Sequence, residues 1–259
     1  LYFIDLLATS FAYILRIFKV RDKVMQYNLG LVFPNMDQDK KDLIKFRSCK
    51  LFLMNILIVL HQRFIIDTDY LMKYYDNINI PNDLKDDLKK NKVIFAVAHL
   101  GIYYDFSSCY KLISPLSCIY KMKYEFIEKF IYGSNKFKNK ILPIKHDKLG
   151  ELINNEYPSM CIPCDQKSNS KEIYFLKQKV KFHDSVTKIH KITKRSIWVC
   201  ICYYDFNLRK IKMKLIPIER IYNSSNKNIT QKIADIMTKE ILENPDQYFW
   251  LHDRFNSNL

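Results

Sequence analysis

The sequence predicts an α/β protein, one domain with a mixed central sheet flanked by helices, and three observations lead there. Residues 1–90 carry apolar side chains at helical spacing. From Val93 onward short apolar runs alternate with helical stretches, and residues 197–204 with 210–216 read as a hairpin closing the sheet. The chain has 259 residues, 48% of them hydrophobic, enough for a substantial core. A single domain over 1–259 is expected, mainly helical to residue 90 and α/β over 91–259.

The first helix starts within the opening residues, and its longest uncharged run, Leu6 to Leu15, is ten residues. About 20 are needed to span a bilayer, so this run and the apolar stretch from Leu51 to Leu60 read as core or interface helices. The chain does not open on methionine, and an anchor ahead of Leu1 stays open. At Val32-Phe33-Pro34-Asn35-Met36-Asp37 the proline ends one helix, and Asn35 or Asp37 caps the next. Strands follow at 93–98, 117–120, 141–144 and 159–162, with helices up to Tyr110 and near 124–132 between them. A helix is expected over 185–194, then the hairpin, then two helices over 230–243 and 245–255. No repeat, linker or low-complexity segment interrupts this order.

The net charge of +15 points to an anionic partner, although abundant Lys, Asn and Ile can also reflect a biased base composition. Nucleic acid ranks low, because the aromatic residues fall in apolar periodic segments and no basic cluster carries a binding signature. The seven cysteines are an odd number without the dense spacing of a disulfide scaffold, which fits a reducing compartment. Cys161-Ile162-Pro163-Cys164 has redox spacing, but its first half reads as a strand, so redox and zinc roles are disfavoured. Nothing resembles a signal peptide, and the sequons at Asn223 and Asn228 read as loop residues.

The chemically richest segment runs from Val93 to Asp105. Six apolar residues deliver His99, then Gly101, in a chain with only four glycines, and Asp105 follows. Reactive groups collect at the carboxyl ends of such buried strands, and glycine there permits a positive φ or a close approach. The local sequence fits both a catalytic corner and a core histidine beside a helix start.

Four blocks together resemble the lipid A biosynthesis acyltransferases, the lauroyl and myristoyl transferases of the lysophospholipid acyltransferase superfamily. They are Asn28-Leu29-Gly30-Leu31-Val32-Phe33-Pro34, then Ala98-His99-Leu100-Gly101 with its following acid, then Pro163-Cys164-Asp165-Gln166, and last Asn244 to Phe255. The resemblance spans nearly the whole chain. It implies an α/β layer fold with the amino-terminal helices facing the cytoplasmic side of the inner membrane. It implies transfer of a fatty acyl group from acyl carrier protein to a hydroxyl of a Kdo-bearing lipid A precursor, with no metal or cofactor. In the family a histidine is the general base and an acid five residues later orients it. Here His99 matches the base and Asp105 the acid at six residues, with Tyr104 at position five. The resemblance further implies substrate contacts at Gly101, Tyr104, Lys121, Asp165, Gln166 and Arg254, Asp165 and Gln166 reading equally as a turn or helix cap. Where the family commonly carries an arginine before the strand at 141–144, this chain has Lys136 and Lys138, and the terminal His-Arg-Arg is His252-Asp253-Arg254. These departures bear on the acceptor, so another glycolipid or phospholipid, or a lipid-binding member without turnover, is the alternative.

Overall fold

A computed structural model of the chain describes residues 1–64, 73–76, 78–90, 93–103, 116–120, 141–145, 159–166, 170–218 and 228–255. It opens with α1 (Tyr2–Ile17), α2 (Asp22–Val32) and α3 (Gln38–Phe64), with α1 packed along α3. Pro34 lies in the break, and Asp37 caps α3, its carboxylate accepting the Lys40 N–H at 2.8 Å. Asp5 of α1 is buried and tied to the sheet, accepting the Tyr204 hydroxyl at 2.7 Å and pairing with Lys50 at 2.6 Å. Among the described residues no helix is long and apolar enough to cross a membrane.

After α4 (Asn82–Lys89) the chain enters β1 (Val93–Gly101), buried along its whole length. Alternate residues serve two cores. Ile94, Ala96, Ala98 and Leu100 pack on one face, while Val93, Phe95 and Val97 face Leu51, Met54 and Ile58 of α3. A strand covered on both sides needs apolar residues at every position, which explains the unbroken run in the sequence. The other described strands of this sheet are β2 (Leu116–Tyr120), β3 (Ile141–Lys145), β4 (Ser159–Pro163), β7 (Ser196–Asp205) and β8 (Lys210–Pro217). The sheet order is β3-β2-β4-β1-β7-β8, parallel except for the antiparallel β7–β8 edge. This is the mixed sheet that the sequence predicts, with α5 (Ser185–Thr193) and α6 (Ile229–Glu243) packed on it. Asn228, half of a sequon in the sequence, caps α6 by accepting the Thr230 N–H at 2.9 Å.

Two features depart from the sequence reading. A second hairpin, β5 (Lys171–Phe175) and β6 (Gln178–Phe182), occupies a stretch to which the sequence assigns no element. Its turn residues Leu176 and Lys177 both take positive φ, 50° and 64°, the primed-turn geometry usually signalled by Asn or Gly. The expected helix over 245–255 is instead a single 3₁₀ turn, Pro245–Gln247, followed by Tyr248 in extended conformation and then by turns, the Trp250 N–H donating to the Tyr248 carbonyl at 3.0 Å and the Arg254 N–H to that of His252 at 2.8 Å. Tyr248 and Trp250 are buried on either side of the partly exposed Phe249, an alternation with the period of a strand, and Tyr248 bridges to Leu100 of β1. The helices expected up to Tyr110 and near 124–132 lie outside the described residues, as do Tyr104, Asp105 and Lys121.

Candidate active site

Neighbouring parallel strands end side by side, so residues far apart in sequence meet at their carboxyl ends. Val97 of β1 pairs with Pro163 of β4, and Cys164 continues the ladder by donating its N–H to the Val97 carbonyl at 3.1 Å. This register brings Asp165 to His99. Asp165 Oδ1 lies 2.7 Å from His99 Nδ1, and Oδ2 accepts the His99 backbone N–H at 3.0 Å. One carboxylate therefore grips both the ring and the backbone of the histidine.

That grip sets the tautomer. With Nδ1–H donating to Asp165, Nε2 carries the lone pair, and the Gln166 side-chain amide donates to it at 3.1 Å. Asp165 is 1% exposed. Burial works to raise its carboxyl, but the charge of His99, the two hydrogen bonds from that residue and the charge of Arg254 outweigh it, and the carboxyl sits below its ordinary value. A neutral imidazole with a fixed tautomer and an ionised carboxylate behind it can take a proton from a hydroxyl and hold the resulting charge.

Rings surround the base. The Tyr103 ring meets His99 edge-on at 4.6 Å between centroids, and Phe249 lies 6.2 Å away, itself stacked on Phe52 of α3 at 5.4 Å. Phe249 is set by its own backbone, which donates to the His99 carbonyl at 3.0 Å. The segment carrying it is fastened to the amino-terminal helices. The Asn28 amide donates to the Trp250 and His252 carbonyls at 2.9 and 2.8 Å, Ser48 donates to the Tyr248 carbonyl at 2.8 Å, and Arg21 reaches the Leu251 carbonyl at 3.1 Å. Burial pushes the Tyr248 phenol well above its usual range, helped by the nearby Asp165 charge, and pushes the His252 imidazole down.

The sequence-predicted residues thus divide. His99, Asp165 and Gln166 come together, and Asp165, expected among the substrate contacts, is the carboxylate on the histidine. Gly101 lies at φ 65°, and a Cβ there would meet the Cys202 carbonyl oxygen at 2.0 Å, so the close approach that demands glycine is that of the β7 backbone. Arg254 is 2% exposed beneath the second hairpin, its guanidinium over the Phe175 and Phe182 rings at 5.4 and 5.6 Å. Cys161 and Cys164 are buried thiols outside any disulfide, and burial holds the Cys164 thiol well above its usual value, which makes it a poor nucleophile. Among the described residues no group of three His, Cys, Asp or Glu side chains is placed to hold a metal. Sequence reasoning passed over Asn28, Ser48, Tyr103 and Phe249 as individuals, although Asn28 and Phe249 stand in the first and last of the four blocks.

No curated protein matches the sequence. A protein-family comparison matches residues 2–257 to the bacterial lipid A biosynthesis acyltransferases. With nearly the whole chain covered, and the four blocks gathered around one histidine, the protein is an acyltransferase that belongs to the bacterial lipid A biosynthesis acyltransferase family.

Proposed function

We propose that this enzyme moves a fatty acyl group from the thioester of acyl carrier protein to a hydroxyl of a lipid A precursor, with His99 as general base and Asp165 as the group that orients it. The observation that carries this reading is the 2.7 Å contact between Asp165 and His99 Nδ1, which leaves the basic lone pair on Nε2. The acceptor hydroxyl takes the place of the Gln166 amide at Nε2. As its oxygen attacks the thioester carbonyl its proton passes to Nε2, and the imidazolium that forms is stabilised by the Asp165 carboxylate. Collapse of the tetrahedral intermediate breaks the C–S bond, and the departing thiolate takes the proton back from Nε2. The acceptor hydroxyl does what a serine does in a triad, so no acyl-enzyme forms and no metal or cofactor is needed.

The setting is the cytoplasmic face of the inner membrane. Phe3, Leu6, Ile14, Ile17 and Phe18 of α1 and its end are exposed, Ile17 and Phe18 each to 75%, beside Arg16, Lys19, Arg21 and Lys23. Apolar side chains rimmed by cations suit the surface of an anionic leaflet. The basic surface as a whole also steers an acidic carrier protein.

His99→Ala is expected to abolish acyl transfer from acyl carrier protein to the precursor while the protein stays folded, a loss of about 10²–10⁴-fold for a general base. Full activity in that variant sinks the mechanism. Mass spectrometry of lipids from a deletion strain tests the acceptor, and unchanged lipid A would reassign the reaction to another glycolipid or a phospholipid.

A further inference from the structure

Gln166 stands at the atom that takes the proton. Its side-chain amide nitrogen lies 3.1 Å from His99 Nε2. Four backbone N–H groups around the base are spent on the fold: that of His99 on Asp165, that of Cys164 on the Val97 carbonyl, that of Ile102 on the Cys202 carbonyl and that of Phe249 on the His99 carbonyl. The Asp165 carboxylate, an acceptor, gives one oxygen to the ring and the other to the backbone of the histidine. The half-buried Gln166 amide is committed differently. A primary amide carries two N–H groups, one of these points at Nε2, and among the described residues the nitrogen makes no other hydrogen bond.

As an anchor for the ring this bond is superfluous, because Asp165 already fixes both tautomer and position. It also covers the lone pair that the base needs, so it must break in every turnover. A hydroxyl that binds Nε2 pushes the amide aside by about 3 Å, the width of one oxygen, and an attacking oxygen stands at about that distance from the carbon it attacks. We propose that Gln166 is a catalytic residue whose displaced amide donates an N–H to the carbonyl oxygen of the acyl thioester. This rests on His99 being the base. The acceptor oxygen forms the new C–O bond as its proton goes to Nε2, and the carbonyl π pair moves onto the oxygen that the amide faces. The pair then restores C=O, the C–S bond breaks, and the thiolate takes the proton from Nε2. A neutral donor aimed at charge that exists only in the tetrahedral intermediate lowers the barrier without tightening the ground state.

The test is the steady-state kinetics of the full chain, with carrier-protein thioester and lipid A precursor, for wild type, Gln166→Ala and Gln166→Glu, with thermal melts to verify folding. Gln166→Glu keeps the shape and loses the N–H. Both variants are expected to lower kcat by about 10²–10³-fold, the scale for one oxyanion donor, with KM nearly unchanged. Binding of two unreactive donors to the precursor-loaded enzyme separates this role from a structural one. A difluoroketone analogue of the acyl-phosphopantetheine donor adds the acceptor hydroxyl but cannot expel its CF₂ carbon, so it carries the tetrahedral oxyanion; a thioether analogue has no carbonyl. Gln166→Ala should weaken the ketone by a factor like that in kcat and leave the thioether as wild type binds it. If Gln166→Ala does not fold, Gln166→Met takes its place with the same expectation. Unchanged kcat in a folded variant, a gain in kcat from uncovering Nε2, or equal weakening of ketone and thioether would overturn the inference. Full activity of His99→Ala would instead remove the proposed function on which it rests.

Discussion

Gly101→Ala tests how the base is held in place. Gly101 closes β1 two residues after His99 at φ 65°, where any residue with a Cβ costs about 1–2 kcal/mol. The added Cβ would lie 2.0 Å from the Cys202 oxygen, 2.9 Å from its carbonyl carbon and 3.0 Å from the Tyr203 Cα, all backbone of β7. No side chain can turn aside to relieve this, so β1 and β7 must part locally, and overpacking of that kind costs roughly 1–3 kcal/mol more. The Asn55 amide on the Gly101 carbonyl at 2.9 Å and the Ile102 N–H on the Cys202 carbonyl at 2.7 Å are strained in the same movement. A loss of about 3 kcal/mol is expected, which lowers the melting temperature of a chain this size by roughly 10 °C. Urea and thermal unfolding followed by circular dichroism measure it, and acyl transfer assayed where the variant is still folded should also fall, because His99 shifts with the strand. A stability within about 1 kcal/mol of wild type would refute the reasoning.

Other outcomes follow from the same geometry. Asp165→Asn cannot present acceptors to both the His99 ring and its backbone N–H, and should lower kcat by on the order of 10²-fold or more with little change in KM, read by steady-state kinetics. The folded Asp165 carboxyl sits below its ordinary value, so its contribution to stability is full above about pH 4 and is lost as the pH falls through the folded value; urea midpoints of wild type should drop over that acid range more steeply than those of Asp165→Asn. Asn28→Ala strands the Trp250 and His252 carbonyls and is expected to cost about 2–3 kcal/mol in unfolding experiments. It should also reduce activity, since the segment it releases carries Phe249.

What sequence could read was the local pattern. Six apolar residues before His99 mark a strand buried on both faces, and β1 is one, although it runs on through the histidine to Gly101. The sequence allowed Gly101 a positive φ or a close approach, and it has both, but the group that approaches, the backbone of β7, was not legible. The carboxylate on His99 was hidden for a different reason: Asp165 is 66 residues away, and only the parallel pairing of β1 with β4 brings it to the ring. Spacing along the chain pointed to Asp105, which lies outside the described residues. Leu176 and Lys177 disguised the second hairpin, because neither is a residue that advertises a primed turn. Tyr248, Phe249 and Trp250 read as a helix face because three neighbouring aromatic residues carry no period, and the alternation emerges only when Tyr248 and Trp250 find the core.

The four blocks spread over the chain are held together by one physical requirement, that a base on a strand end needs walls the sheet cannot provide. The end of β4 leads into Asp165 and Gln166, but the outer wall is the carboxyl-terminal segment, which meets β1 through the Tyr248–Leu100 bridge and the Phe249 N–H on the His99 carbonyl. Asn28, Ser48 and Arg21 from the amino-terminal helices add to its hydrogen bonding, each donating to a carbonyl of residues 248–252, and the Ser48 hydroxyl also accepts the Trp250 N–H at 3.1 Å. α2, which follows the exposed apolar end of α1 proposed to meet the bilayer, is therefore bonded to the segment that positions Phe249 beside His99. A tilt of α2 would move that wall, and so the geometry of the base is coupled to the placement of α2.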